Sequence, residues 1–169
     1  MGTIGLGCVQ PGKQLCLITG SSHHLHWAVA STGNTATGSW GAYPGAPLPG
    51  RAPLPGLYYA EGGQSSTGII LRWARRELFG DALSYVALDV VAAAIAPGAE
   101  GLIALETFQG FRTPATYAKA RVAMIGLTHT CAHIWRAFLE AVCYGTRACI
   151  DALETAGHIG AKTSCWRVV

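Results

Sequence analysis

The sequence predicts a single α/β domain, and the order of its elements carries that prediction. Two short strand-like segments come first and are joined by a tight polar turn. Helical and strand-like segments then alternate over the rest of the chain. The length of 169 residues fits one domain, which at this size buries roughly 70% of the surface of its unfolded chain.

The first two strands form a predicted β-hairpin. Residues 14–18 are a short apolar run, and apolar side chains alternate with others over residues 25–29, which predicts a strand with one buried face. The turn between them contains Gly20, Ser21 and Ser22. Residues 31–56 contain the pentapeptide APLPG twice, and at this density of proline and glycine we expect no regular element there.

The remaining elements follow from periodicity and from residues that begin or end helices. We expect helices over residues 67–79, 83–95 and 131–156, and short strands over residues 57–60, 102–105 and 123–127. Ser65 or Ser66 is the predicted N-cap of the first helix, and Gly80 follows its end. The last helix carries a stripe of mostly small residues, which predicts close approach of another element: Ile134, Phe138, Ala141, Gly145, Ala148 and Ala152.

The composition excludes several classes of function. The net charge is +3 without a basic block, so neither nucleic acid nor a membrane is an expected partner. The most apolar stretch, residues 85–96, is too short to span a bilayer, and residues 1–30 show no signal-peptide pattern. Six cysteines without a CxxC pair indicate reduced thiols and a location in the cytoplasm.

Charged residues are scarce. They make up 12% of the chain, against about 25% in a typical globular protein. One interpretation is that part of the surface packs against another lobe or a second copy of the chain. The alternative is an ordinary core rich in glycine and alanine.

Polar turns that follow apolar runs are the candidate sites. The Gly20-Ser21-Ser22 turn offers backbone amides and hydroxyls without bulk, which favours phosphate binding. The string EGGQS at residues 61–65 lies before a helix whose N-terminus is expected to favour anions. Residues 107–114, TFQGFRTP, form a third turn, in which Arg112 either binds phosphate or, as we favour, fixes the loop to the domain.

Taken in order with residues 132–148, these motifs closely resemble the C-terminal domain of the FGGY carbohydrate kinases, over about residues 2–164. The branch acting on ribulose, xylulose or pentitols is the most similar. The resemblance implies the ribonuclease-H-like fold of the actin and hexokinase superfamily. It also implies transfer of the ATP γ-phosphate to a sugar hydroxyl, with Mg²⁺ neutralising the phosphates. On this basis residues 1–169 are one FGGY C-terminal domain, truncated at both ends.

The resemblance also assigns roles to individual residues. Gly20, Ser21 and Ser22 match the turn that faces the ATP phosphates, and Gly68 and Arg72 match positions facing the nucleotide.

Three further residues complete the implied site. Gly160 and Ala161 match the adenosine loop, although the segment around them is shorter than in the family. Gln64, with both a donor and an acceptor, is the candidate for contacting the sugar.

Histidines suggest a metal site, but we expect none. His23, His24 and His26 cluster, and His129 and His133 are four residues apart. Zinc needs three or four converging ligands, and no cysteine or carboxylate lies near His24 and His26 in sequence.

The departures from the family pattern limit the expected activity. The carboxylate that accepts the proton of the sugar hydroxyl is an Asp upstream of the segment matching residues 2–7, so neither that Asp nor the N-terminal domain is in this chain. The connection between Leu127 and His133 is short, and Val122 replaces a small residue. We therefore expect no catalysis by this chain alone. An inactive remnant and a non-catalytic interaction domain, including one that self-associates, remain as alternatives.

Overall fold

A computed structural model describes residues 7–29, 38–44, 56–127 and 130–157. Four antiparallel strands form one sheet in the order β1-β2-β4-β3. Their bounds are β1 Leu15–Ile18, β2 His23–Val29, β3 Trp40–Pro44 and β4 Tyr58–Gln64. The first two strands confirm the predicted hairpin, with Leu15 opposite Trp27 and Ile18 opposite His24.

The prediction that residues 31–56 hold no regular element is wrong at β3. This strand pairs with the open edge of β4, where Trp40 lies opposite Glu61. Edge pairing depends on a partner far away in sequence, so local composition does not reveal it. Gly41 permits the approach, because its φ of 116° and its contact with the backbone of Tyr59 and Ala60 leave no room for a side chain.

Strand β4 also extends past its predicted end. It continues through Gly62 and Gly63 to Gln64, because β2 pairs with it over its whole length. A Cβ at Gly63 would overlap the carbonyl oxygen of His23, so the two strands approach closely at this point.

The helices follow the predicted order with shifted ends. Helix α1 (Gly68–Trp73) continues as a π-helical turn over Ala74–Leu78, and Gly80 then adopts a φ of 61°. Helix α2 (Tyr85–Ala93) begins at Ser84, whose hydroxyl accepts a hydrogen bond from the Ala87 amide over 3.1 Å. A 3₁₀ turn, the two-stranded sheet and the last helix complete the chain: Ala99–Gly101, β5 Ile103–Ala104, β6 Met124–Ile125 and α3 Cys131–Thr155.

Two hydrophobic clusters share α3. Its C-terminal half packs on one face of the four-stranded sheet, against residues that include Leu25 and Trp27. Its N-terminal half packs against α1, α2 and β5. The buried face therefore rotates along the helix, and the predicted small-residue stripe is only partly correct, since Ala148 is exposed. The buried residues of α3 are Trp135, Ala137, Phe138, Ala141, Cys149, Ile150 and Leu153.

Apolar side chains are exposed on α2 and on the two-stranded sheet. Val86 and Val90, four residues apart on α2, are 72% and 66% exposed. Ile125 on β6 and the following Leu127 are 61% and 57% exposed. Patches of this kind mark interaction surfaces in many proteins. Among the described residues, no helix has the length and hydropathy needed to cross a membrane.

Candidate functional site

The turn between β1 and β2 packs on the start of α1 through its carbonyl groups. The Gly20 carbonyl accepts from the Gly68 amide over 3.0 Å and from the Thr67 hydroxyl over 3.2 Å. The Ser21 carbonyl accepts from the amides of Thr67 and Ile69 over 2.9 and 3.3 Å. The carbonyls of Gly20 and Ser21 are therefore both directed towards the helix.

The amide groups of the same turn point the other way. In a planar trans peptide the C=O and the following N–H are directed oppositely, so the N–H groups of Ser21 and Ser22 face away from α1. These two amides donate to no partner within the described part of the chain. Gly20 and Ser21 are exposed. The turn thus presents adjacent backbone donors and hydroxyls to solvent, which is an arrangement that can hold phosphate oxygens.

Gly68 is required by this packing. A Cβ at this position would overlap the Gly20 carbonyl oxygen, so the residue lies against the turn because it is a glycine. The sequence predicted Gly68 near the nucleotide. The structure places it directly behind the turn that would hold the phosphates.

Two details of the predicted helix start are wrong. The N-cap is Thr67, not Ser65 or Ser66, and its side chain forms no capping bond within the helix. The first amides of α1 are also not available to an anion, because Thr67, Gly68 and Ile69 already donate to the turn. The carbonyls of Gly20 and Ser21 accept from the first amides of α1, which an anionic ligand was expected to occupy.

Arg72 lies one helical turn after Gly68 and is exposed. It forms no hydrogen bond or ion pair with any residue in the described ranges. Its guanidinium, in the last turn of α1 and on the same helix face as Gly68, is therefore available to a ligand. Gly160 and Ala161, the predicted adenosine contacts, lie outside the described residues.

Gln64 has surroundings that favour a structural role over the predicted sugar contact. The side chain is buried, and its amide oxygen accepts from the Thr146 hydroxyl over 2.6 Å. Its Nε2 donates to the Val142 carbonyl over 3.2 Å and lies 3.5 Å from Glu106 Oε1. Gly145 makes room for both side chains, since a Cβ there would overlap them. Gln64 therefore joins the end of β4 to α3.

Arg112 fixes the loop that contains residues 107–114, as the sequence predicted. Its Nη2 donates to Glu61 Oε1 over 2.9 Å, and its guanidinium lies 4.1 Å from the centre of the Trp40 ring. These side chains line a cavity of about 390 Å³ together with Ser65 and Gln109.

The next residue, Thr113, fixes the same loop from inside. Its buried hydroxyl accepts from the Gly63 amide over 3.0 Å and donates to the Gly38 carbonyl over 2.7 Å. Its carbonyl accepts from the Cys149 thiol at 3.3 Å. Burial raises the pKa of Cys149 to about 12, so this thiol stays protonated and is not a nucleophile at neutral pH.

One group of possible metal ligands was not predicted from the sequence. The pairing of β2 with β4 places Glu61 opposite His26, and these two side chains lie with His24 so that one possible ligand atom from each falls within 4.8 Å of the others. No carboxylate lies near these histidines in sequence, but the fold brings Glu61 beside them in space. Strand pairing supplied a residue that sequence proximity did not reveal.

A protein-family model matches the part of the chain that contains these motifs. The model described as the FGGY family of carbohydrate kinases, C-terminal domain, matches residues 17–163. The chain belongs to the FGGY family of carbohydrate kinases. The match covers the Gly20-Ser21-Ser22 turn, the Gly62-Gly63-Gln64 segment and all of α3.

Curated relatives include FGGY kinases with different substrates in their names. A glycerol kinase of Mycobacterium tuberculosis is 35% identical over 100 residues, which are 58% of this chain and 19% of that protein. A ribulokinase of Shouchella clausii is 29% identical over 164 residues, covering 89% of this chain and 28% of that protein. The chain thus spans less than a third of the length of these relatives.

Solved structures share the fold. A xylulose kinase from Rhodospirillum rubrum superposes with a TM-score of 0.70 and 29% identity, over 93% of this chain and 30% of that one. The glycerol kinase of Plasmodium falciparum, solved with ADP, gives a TM-score of 0.76 at 18% identity, over 99% of this chain and 32% of that one. The α/β fold is that of the actin- and hexokinase-like ATPases.

Proposed function

We propose that this chain forms the nucleotide-side domain of an ATP-dependent kinase that phosphorylates a hydroxyl of a pentulose or pentitol. Membership of the FGGY family supports the kinase class. The ribulokinase match extends over 89% of the chain, against 58% for the glycerol kinase match, which favours a five-carbon substrate. The cytoplasm is the expected location, because ATP-dependent sugar phosphorylation needs intracellular nucleotide.

The observation that carries the proposal is the orientation of the Gly20-Ser21-Ser22 turn. Its carbonyls are held by α1, and the amides of Ser21 and Ser22 are left for a ligand. Backbone amides fixed in advance stabilise phosphate charge without reorganising during the reaction. The Ser21 hydroxyl adds a donor at the exposed tip of the turn, and Arg72 adds an exposed positive charge on the face of α1 that carries Gly68.

The Gly20-Ser21-Ser22 turn and Arg72 suit the phosphates of ATP, but none of these residues is a carboxylate that could bind Mg²⁺. Within the described part of the chain, one group of three side chains could hold a metal ion, and it contains two histidines. Mg²⁺ prefers oxygen ligands and is commonly bound through the phosphates of its nucleotide. We therefore propose that Mg²⁺ arrives with ATP, and that carboxylates of the N-terminal domain complete its binding.

The chain alone is not expected to catalyse the transfer. A general base must reach the proton of the sugar hydroxyl. Two carboxylates on and after the strands of the domain already have partners: Glu61 on β4 bonds Arg112, and Glu106, after β5, bonds Gln64. In the full enzyme, residues upstream of this chain would supply the general base and most contacts to the sugar, and this chain would position the nucleotide.

Calorimetric titration with Mg-ATP tests the nucleotide site. Gly20→Val is the informative variant, because among the described residues a Cβ at Gly20 meets only the Ser22 carbonyl oxygen, at 3.8 Å, whereas the branched side chain would obstruct the turn. We expect binding by the wild type and at least about tenfold weaker binding by the variant, the equivalent of about 1.4 kcal/mol. Ala115→Val, at an exposed position in another loop, is the matched control. Equal heats for Gly20→Val and the wild type would exclude the turn.

A second assay tests whether catalysis needs more than this chain. Purified chain is mixed with ATP, Mg²⁺ and ribulose, xylulose or a pentitol, and ADP release is followed. We expect no sugar-dependent release. Turnover that a carboxylate substitution abolishes would place the base within these 169 residues.

A non-catalytic interaction domain is the second candidate. The exposed apolar side chains of α2 and β6 favour it, since Val86 and Ile125 would be covered in a complex. This candidate and an inactive remnant both predict that Mg-ATP does not bind, so the titration separates them from the kinase proposal.

A further inference from the structure

A cluster on the outer face of the four-stranded sheet has the composition of a transition-metal site. His24 and His26 alternate with Leu25, which is buried in the cluster beneath the sheet, so both histidines lie on the opposite face. Glu61 joins them because it is the direct partner of His26 across the pairing of β2 with β4. These three residues are called the His–Glu cluster below.

The spacing in the His–Glu cluster is too long for hydrogen bonding and suitable for a shared ion. His26 Nε2 lies 3.9 Å from Glu61 Oε2, beyond hydrogen-bonding distance. Zinc ligands lie about 2 Å from the ion, which puts ligand atoms roughly 3 to 4 Å from each other. One ligand atom from each of the three residues falls within 4.8 Å of the others, so small side-chain adjustments would complete the geometry.

The two oxygens of Glu61 have different surroundings. Oε1 accepts from Arg112 over 2.9 Å, while Oε2 is the oxygen facing His26. Arg112 therefore orients the carboxylate and leaves one oxygen directed to the histidines. Partners that orient a ligand in this way are common around metal ions.

Protonation and access are also suitable. Burial is the main cause that lowers the pKa of His26, and the nearby charges of His24 and Arg112 lower it further, although Glu61 opposes them. Neutral imidazole is the form that binds metals. The side chains of His26 and Glu61 are 23% and 26% exposed, and Glu61 lines the cavity of about 390 Å³ beside Trp40. Water can thus occupy the remaining coordination positions.

We propose that His24, His26 and Glu61 form a binding site for Zn²⁺ or a chemically similar first-row divalent cation. Two imidazoles and one carboxylate favour such an ion over Mg²⁺ and Ca²⁺, which prefer oxygen ligands. The three ligands are not themselves among the proposed nucleotide contacts, and they lie on the sheet face next to that turn. The site connects to the turn through the 2.9 Å hydrogen bond between His24 Nε2 and Ser22 Oγ, which leaves Nδ1, 3.5 Å from Arg112 Nη1, as the nitrogen that would bind the ion once the guanidinium moves aside. An ion here would tie β2 to β4 and stiffen the end of the hairpin.

Titration of the metal-free full chain with Zn²⁺ and Co²⁺ tests the site. We expect one ion per chain and a visible cobalt spectrum without a thiolate charge-transfer band. His26→Gln and Glu61→Gln are each expected to weaken binding by at least about tenfold, the lower end of what even outer partners contribute. His133→Gln is the matched control, since His133 also faces a carboxylate, Glu100, over 3.3 Å. Unchanged affinity in His26→Gln, or a thiolate band from the exposed Cys131 or Cys143, would overturn the proposal.

A measurement on the wild-type chain tests the same site without relying on variants that could fail to fold. Zn²⁺ is added while ¹⁵N-labelled histidine side chains are observed by NMR. The ring signals of His24 and His26 are expected to shift together at one equivalent. His23, whose Nδ1 lies 3.0 Å from the Thr146 hydroxyl, is expected to shift far less. If His24 and His26 stay unchanged at one equivalent, or if His23 and His133 shift as strongly as they do, the ion is not at the His–Glu cluster.

Discussion

The amide of Gly68 donates to the carbonyl of Gly20 over 3.0 Å, and this bond sets the direction of the whole turn. Because the carbonyls face the helix, the amides of the next two residues face solvent. The glycine at the start of α1 and the glycine in the turn are therefore parts of one structural unit.

Gly68→Ala tests this unit. The added methyl would overlap the Gly20 carbonyl, so either the turn or the helix must move. We expect a loss of about 1–3 kcal/mol in the free energy of unfolding, which is typical of overpacking. Urea denaturation measures it. Gly20→Ala is the control, because a Cβ there would make only an ordinary contact, 3.8 Å from the Ser22 carbonyl oxygen, and it is expected to change stability by less than about 1 kcal/mol. Equal midpoints for the two variants would contradict the close approach.

Gln64→Leu tests the junction between β4 and α3. The substitution removes the bonds from the buried Gln64 side chain to the Thr146 hydroxyl and the Val142 carbonyl, although these two groups still bond each other over 2.9 Å. We expect a loss of about 1–3 kcal/mol, the usual result of removing one partner of a buried hydrogen bond. Gln109→Leu, at an exposed position, is the control and is expected to be nearly neutral. A nearly neutral Gln64→Leu together with lost ligand binding would instead favour the sugar contact.

Cys149 predicts a stability change at alkaline pH. Its folded pKa is raised from 9.0 to about 12, so the unfolded chain loses this proton first as pH rises. Between about pH 9 and 12 the unfolded state therefore binds fewer protons, and stability falls with a limiting slope of about 1.4 kcal/mol per pH unit. The difference between the wild type and Cys149→Ser, measured by urea denaturation at several pH values, isolates this contribution. Parallel curves for the two proteins would disprove it.

The same burial predicts selective thiol reactivity. At pH 8.5, alkylation followed by mass spectrometry is expected to modify the exposed Cys131 and Cys143 and to spare Cys149. Modification of Cys149 at a comparable rate would show that α3 opens locally.

The exposed apolar side chains predict association. Val86 and Val90 on α2 and Ile125 on β6 are each more than half exposed. We expect sedimentation velocity at tens of micromolar, roughly the range in which aggregation-prone species assemble, to show self-association. Val90→Glu is expected to shift the protein towards monomer, whereas Ala115→Glu in another exposed loop is not. A clean monomer of the wild type would mean that these side chains tolerate water.

Local patterns predicted the elements that depend on local residues. The hairpin follows from the alternation of apolar residues. Helix α3 begins and ends within one residue of its prediction, because the segment is long and its apolar residues recur with a regular helical period. Strand β3 and the His–Glu cluster were missed because both depend on which strands pair. The Gly20-Ser21-Ser22 turn was identified, but the direction of its amides depends on bonds to α1 that no single motif contains.

Helix α3 has a consequence for how the domain opens. Trp135 and Phe138 belong to one hydrophobic cluster, and Cys149 and Leu153 belong to the other. One continuous helix therefore contributes to both clusters. Fraying of either half removes support from the other, which makes the four-stranded sheet and the helical layer one cooperative unit. Amide hydrogen exchange would then show matching protection along α3, with no subdomain that opens independently.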